Sequence, residues 1–250
     1  MQYEIIVLGA TFTAAGIAQK YGENCLIIER RTTAGYEFFG ALNFGNDYGS
    51  KPVTAEGNVL LEKFAEKNAF CGDRISLYDC SSIFYKLLEN RNVLLNTEII
   101  SVEKAKDGFL CTVHGVSGYR TFKAKKVIDT RSHNDMCKSK TYNFSVDGKG
   151  DIGEISGVVC EKWGFETNYV LRYPVALDTD FTVAHYMVEK YIKKLPEGFR
   201  LLYLADEFDY EVKTDYQKEH NGISYVPSKS HKNPILAYDA GVLYEAGGDI

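Results

Sequence analysis

No two of the six cysteines in this 250-residue chain stand at C-x-x-C spacing; they are scattered at positions 25, 71, 80, 111, 137 and 160. That spacing excludes a disulfide scaffold or a structural zinc site as an expectation, and it leaves reduced thiols of a cytoplasmic protein. Runs of Lys or Arg are also lacking, and a net charge of -5 argues against a nucleic-acid surface. No apolar stretch approaches the roughly 20 residues of a membrane span, and Ile5 to Leu8 is too short for the apolar region of a secretion signal. Repeats and low-complexity segments are absent. Tryptophan occurs once, against 18 Tyr and 14 Phe, so the aromatic surface available for a core or a ring-lined cleft is phenolic and phenyl. The length allows one large domain, or a main domain with a smaller excursion.

What is present begins with alternating elements. Tyr3–Leu8 is a continuous apolar run, as expected for a parallel strand covered on both faces. The pattern predicts a helix over Thr13–Tyr21 with Gly22 near its end, then a second strand at Cys25–Ile28 closing on Glu29 and Arg30. A long loop rich in Gly, Asn and aromatics follows (32–54), then an amphipathic helix over Asn58–Asn68. A further helix carries Ile83, Phe84, Leu87 and Leu88, with Asp79 or Ser81 as its cap. Strands are expected at 93–96, at 97–103, 109–114 and 119–123 as a β-meander, and at 125–130. After a polar stretch (138–150) come three longer strands within 154–163, 167–177 and 199–212. A helix over Phe181–Lys194, capped by Asp178, Thr179 or Asp180, lies between the last two. The ending, "AGVLYEAGGDI", reads as a short strand running into Gly-Gly-Asp.

The first strand–turn–helix has the form that holds a pyrophosphate, because backbone N–H groups and a helix N-terminus converge there on an anion. Set against G-x-G-x-x-G-x-x-x-A, the chain supplies Gly9, Thr11, Ala14 and Ala18. Gly9 suits the tight turn, and Ala14 stands where helix and strand must pack closely. Thr11 puts a β-branched side chain where phosphates approach; its hydroxyl either donates to them or its bulk excludes them. Phe12 and Thr13 stand at the step from turn to helix; in a cofactor-free descendant side chains such as Phe12, Tyr36 and Arg131 would fill the pocket. Glu29 lies 20 residues beyond Gly9, at a strand end, where an acid accepts ribose hydroxyls. The bland alternative is that Glu29 and Arg30 form a solvated strand end.

The segment 94–135, with "AKKVIDTRSHND", resembles that of FAD-dependent oxidoreductases of the glutathione-reductase-like, two-dinucleotide-binding-domain class. It keeps Ala124, Lys125, Val127, Ile128, Asp129 and Asp135 of the pattern, and carries Thr130, Arg131 and Ser132 in place of its Ala-Thr-Gly. "ERRTTAGYEFFGA" is similar to that family's "E-R-x-x-x-x-G-G" loop, with Gly35 as the first glycine and Tyr36 in place of the second. The resemblance implies an α/β fold: a Rossmann-like parallel sheet with a β-meander over 1–137 and 238–250, plus a smaller antiparallel sheet-rich substrate domain over 138–237. It implies FAD as cofactor, held by Gly9, Thr11, Phe12, Thr13, Ala14, Glu29, Arg30, Gly35, Thr130 and Arg131. Ile99, after Glu98, would lie near adenine. "LYEAGGDI" would supply the family's "A-G-D" with Asp249 on the ribityl chain. The helix that follows this motif in the family is not evident after Asp249, so a second copy or another chain completing the flavin site is a further expectation.

The function implied is an FAD-dependent oxidoreductase acting on an unidentified small molecule. The alternatives are a cofactor-free binding or assembly protein on the same scaffold, with FAD lost, or an NAD(P)-binding protein, since "GAT" after a strand also opens reductase-like loops. No catalytic residue is assigned and no metal is expected. His133 is a surface-loop histidine before it is a ligand group. Arg172, Tyr173, His185, His231 and Tyr238 could line a substrate cavity, although an outward-facing Arg172 is the simpler expectation. Asp206, Glu207 and Asp209 read as a solvated strand end rather than a metal site.

Overall fold

The computed structural model describes residues 2–71, 74–149, 152, 158–162 and 168–245. The chain opens with β1 (Gln2–Leu8), α1 (Phe12–Tyr21) and β2 (Cys25–Ile28). Next come α2 (Ala55–Glu66), a two-residue hairpin pair β3 (Phe70–Cys71) and β4 (Arg74–Ile75), α3 (Leu77–Leu88) and β5 (Asn92–Leu94). The meander is β6 (Glu98–Ala105), β7 (Gly108–Gly115) and β8 (Gly118–Asp129). Then follow β9 (Cys137–Gly148), β10 (Val159–Lys162), β11 (Asn168–Val175), α4 (Phe181–Ile192), β12 (Phe199–Leu204) and β13 (Asp209–Val212). A short hairpin, β14 (Glu219–His220) and β15 (Ile223–Tyr225), precedes α5 (Pro234–Leu243).

Two sheets organise these elements. In the first, β15, β8, β1, β2 and β5 lie side by side in parallel, with β7 and β6 continuing antiparallel from the early half of β8. This is the Rossmann-like α/β sheet with a meander. The two strands expected at 119–123 and 125–130 are one continuous strand, which serves the meander with its start and the parallel core with its end. β1 alternates strictly: Ile5 and Val7 join the core beneath α1, while Ile6 and Leu8 join Leu26, Cys111, Val113 and Val127 on the opposite face. The second sheet is antiparallel, with β9 at its centre between β11 and the β12 and β13 pair, and α4 covering Tyr142, Phe144, Val146 and Leu171.

Several expectations are corrected. The polar stretch 138–150 is largely β9, the central strand of the second sheet; its Lys140, Asn143 and Ser145 are buried polar residues. The apolar ending is not a strand: residues 234–243 form α5, entered through Asn233, whose side chain accepts the Leu236 N–H, with Pro234 in the first turn. Helix α2 begins earlier than expected, at a Thr54 cap, and α3 begins at Leu77 rather than after Asp79 or Ser81. Asp180 caps α4, as one of the three residues expected to. The chain returns to the first sheet at β14–β15, ahead of position 238. Residues 154–157, 163 and 246–250, Asp249 included, lie outside the described residues.

Helix α5 crosses α1 at two glycines. A Cβ on Gly16 would meet the Tyr238 carbonyl oxygen at 2.1 Å, and one on Gly241 would meet that of Thr13 at 2.1 Å. The two backbones therefore touch, and α1 is buried from Phe12 to Ala18. A helix of the chain's own, α5, thus follows the last strand of the parallel sheet, ahead of the "A-G-D" residues 246–249.

Candidate functional site

The site lies at the carboxyl ends of β1, β2 and β8, where the turn 9–11 leads into α1. Gly9 takes φ +96°, a conformation open to glycine, and donates its N–H to the Ile28 carbonyl at 2.8 Å. Thr11 caps α1: its hydroxyl accepts the Ala14 N–H at 3.1 Å and donates to Thr130 Oγ1 at 2.8 Å. Thr130 in turn donates to the Leu8 carbonyl at 3.1 Å. Thr11 is thus a structural cap, fully buried between strand and helix.

The remaining donors of the helix start are taken by side chains from distant loops. The Phe12 N–H donates to Glu37 Oε1 at 2.8 Å, and the Ser228 hydroxyl donates to that oxygen at 2.8 Å. The Thr13 N–H points to Ser228 Oγ at 3.4 Å, while the Thr13 hydroxyl donates to Ala237 O in α5. A protein carboxylate therefore occupies the anion position of the helix. Gly9 is covered as well: a Cβ there would lie 2.6 Å from Arg131 Cγ, 3.1 Å from the Tyr36 hydroxyl and 3.2 Å from Thr130 Oγ1.

Glu29 occupies the expected strand end but is sealed. Its Oε2 accepts the Ala10 N–H at 3.0 Å, and its Oε1 accepts both the backbone N–H and Nη1 of Arg31 at 2.9 and 3.0 Å. The Arg31 guanidinium lies 3.8 Å above the Tyr36 ring and reaches Glu207 with its other nitrogen. Arg131 grips Asp129 through two bonds, at 2.9 and 2.7 Å, and His133 Nε2 meets the same carboxylate at 2.9 Å. Burial works to raise the Asp129 pKa, but these partners outweigh it and hold the carboxyl below its ordinary value. Glu37 goes the other way. Burial raises it to about 7, against the opposing bonds from Phe12 and Ser228 and the attraction of Lys229.

Of the other expected residues, Gly35 (φ +71°) ties its loop to the turn by donating to Ala10 O at 2.8 Å. Phe12 points its ring into an aromatic cluster with Phe38, Phe39 and Phe84. Arg30 stands exposed at the rim, and Ile99 packs beneath the sheet with Leu94. Of the acidic cluster, Asp206 is exposed as expected, but Glu207 and Asp209 are not a solvated strand end. Asp209 is buried and accepts from Asn43, Arg172 and Lys229, and Glu207 is paired with Arg31. Arg172 accordingly faces Asp209 and Glu161 rather than solvent. Tyr173, His185, His231 and Tyr238 do not line the cavity described next. Four thiols, Cys25, Cys80, Cys111 and Cys137, are buried with raised pKa, so none is a poised nucleophile. No metal-binding group of His, Cys, Asp or Glu exists among the described residues, and no described helix is long and apolar enough to cross a membrane.

Between the two sheets a cavity of about 250 Å³ remains, walled by Tyr36, Glu37, Arg131, Phe208, Tyr210 and Lys229, with Arg30, Arg31 and His133 around it. Sequence reasoning missed Glu37 and Ser228. The one signal for Ser228 was its place after an apolar stretch, "ISYV", and before an Asn-Pro helix start.

The donors FAD would need are those already taken. Its pyrophosphate would require the Phe12 and Thr13 N–H groups and the surface of Gly9, and its ribose the outer edge of Glu29. Glu37, Ser228, Arg131, Tyr36 and Arg31 fill those places, so this arrangement of residues does not fit the dinucleotide.

No protein-family model matches the chain, and no curated protein matches it. Solved structures do. The p-nitrophenol 4-monooxygenase PnpA of Pseudomonas putida is similar at 13% identity over 97% of this chain and 77% of its own, with a TM-score of 0.58. A geranylgeranyl bacteriochlorophyll reductase-like protein of Thermoplasma acidophilum follows at 12% identity, over 96% and 76%, with a TM-score of 0.58. The rebeccamycin biosynthetic enzyme RebC, solved with reduced flavin, matches at 9% identity and a TM-score of 0.55 over 90% of this chain, which spans 55% of its length. The chain has the flavoprotein fold of these monooxygenases and reductases; nothing in the comparison singles out the glutathione-reductase-like branch.

Proposed function

We propose that this chain is a binding protein on the FAD-dependent oxidoreductase fold, working without a dinucleotide in the seat that the fold provides. The observation that carries it is the Glu37 carboxylate on the Phe12 N–H at 2.8 Å, in the position of a phosphate. A phosphate entering there would have to displace a buried carboxylate, lift Arg131 off Gly9 and break the Arg31–Glu29 contact. The thiol chemistry is compatible with a reducing, cytoplasmic setting, and the meander on the first sheet supports this reading over an ordinary NAD-binding domain. Purified protein is expected to show no absorption near 450 nm. FAD, NAD and NADP are each expected to leave its melting temperature unchanged, since only a ligand that binds the native state raises it. A yellow preparation, or a saturable shift with FAD, overturns the proposal.

A second reading has its own support: an FAD-dependent oxidoreductase acting on a small molecule. It draws on Glu29 at the end of β2 and on the structural likeness to an enzyme solved with reduced flavin. The same titration decides between the two.

A further inference from the structure

Helix α4 is apolar on two faces. Ala184 and Val188 are buried against the second sheet, with Tyr191 and Ile192 packed beside them. On the opposite side Val183, Tyr186 and Met187, at i, i+3 and i+4, stand 48%, 57% and 36% exposed. A surface helix ordinarily turns polar residues to that side. Here the outer stripe is apolar in its middle and charged at its two ends. Asp180 precedes it, exposed, with one carboxylate oxygen accepting the Val183 N–H at 2.9 Å. Lys190 follows it, exposed, with its ammonium 4.1 Å over the Tyr186 ring. Neither Asp180 nor Lys190 forms an ion pair among the described residues. Lys140 feels the Asp180 charge, but its ammonium is held by the Thr179 carbonyl and the Phe208 ring.

We infer that this stripe is the contact face for a second copy of the chain, laid antiparallel across a two-fold axis at position 185. A two-fold contact is self-complementary: if one residue faces another, the reverse pair forms as well. With the axis there, Val183 faces the partner's Met187, and Asp180 faces the partner's Lys190. One register therefore sets two apolar pairs and two opposite-charge pairs, with both Tyr186 rings beside the axis. No like charges meet in it, since Glu189 falls against the partner's Phe181. A parallel copy would set Lys190 on Lys190 and Asp180 on Asp180. A membrane surface fits less well, because helices that lie on lipid flank their apolar face with cations and not with a carboxylate. The helix is only about 18 Å long. Its face alone is smaller than the roughly 800 Å² per partner of a standard interface, so the dimer is a weak, reversible one.

The test is sedimentation velocity of the intact protein over a concentration series at low salt. A reversible monomer–dimer equilibrium is expected. Tyr186→Glu sets two carboxylates beside the axis and is expected to weaken pairing roughly tenfold or more. It also adds an i, i+4 pair with Lys190, so the circular dichroism of the helix is expected to stay that of the wild type. Lys190→Glu turns each charge pair repulsive and is expected to weaken pairing roughly threefold. Adding Asp180→Asn, which keeps the helix cap, is expected to recover part of that loss. A chain that stays monomeric through the series overturns the inference; if it floats with vesicles of phosphatidylcholine and phosphatidylserine, the stripe faces lipid instead. A dimer indifferent to Tyr186→Glu overturns it too, because the contact then lies elsewhere. A double variant that pairs no better than Lys190→Glu alone overturns the antiparallel register.

Discussion

Two buried carboxylates, Asp209 and Glu37, are treated very differently. Asp209, on the second sheet, is surrounded: Asn43 donates to both of its oxygens at 2.8 and 2.7 Å, Arg172 approaches at 3.1 Å and Lys229 at 2.9 Å. Burial alone would raise its pKa, yet Lys229 and Arg172 hold it below the ordinary range. Glu37, against the first sheet, has one oxygen bonded twice and the other not at all, and its pKa is raised to about 7. The contrast separates a carboxylate bonded on both oxygens and flanked by cations from one buried with a single bonded oxygen.

The comparison breaks first at Asp209. Asp209→Ala leaves Lys229 buried without its carboxylate and Arg172 with Glu161 alone, and is expected to cost about 3–5 kcal/mol in denaturant unfolding; a loss below about 1 kcal/mol would show that the network is incidental. The wild type should also lose stability as pH falls through the carboxylate range, because a depressed folded pKa contributes stability only above it. Thr11→Ala comes next. It removes the cap on Ala14 and the bond to Thr130, and is expected to cost about 1–2 kcal/mol. A neutral result would mean that Thr11 is a remnant of the motif and not a cap. The smallest effect is at Glu37. With a folded pKa of about 7 against an ordinary 4.5, the native state binds the extra proton, so this group's contribution declines as pH rises from about 4.5 through 7. Glu37→Gln is expected to flatten that decline and to equal or exceed the wild type in stability at pH 8. A slope unchanged by the substitution would remove Glu37 as its source.

Much of the fold could be read along the chain because period and composition agree locally. β1, α1 and β2 are apolar with small residues at the packing positions, and the Gly-marked turns of the meander are local events. β9 was hidden because Lys140, Asn143 and Ser145 look like loop residues until their partners arrive: the Thr179 carbonyl and the Phe208 ring for Lys140, the Ala41 carbonyl for Asn143. α5 was hidden for the opposite reason. It is apolar nearly all round, so no periodicity marks it, and the Asn233–Pro234 start is its one local sign. At the candidate site, Gly9, Thr11 and Glu29 stand where the motif puts them. What occupies the space between them depends on Glu37, Arg131 and Ser228, which no local pattern connects.

The crossing of α1 and α5 sets an order of events during synthesis. Glu37 and Ser228 are 191 residues apart, and Thr13 and Ala237 are 224 apart. At about 5–20 residues per second, a ribosome makes the opening strand–helix–strand and Glu37 on the order of ten seconds or more before the Ser228 and Ala237 that bond to Glu37 and Thr13. The nascent chain therefore carries Glu37 alone at the start of α1 for that interval, and the Thr13 groups find their partners when α5 docks.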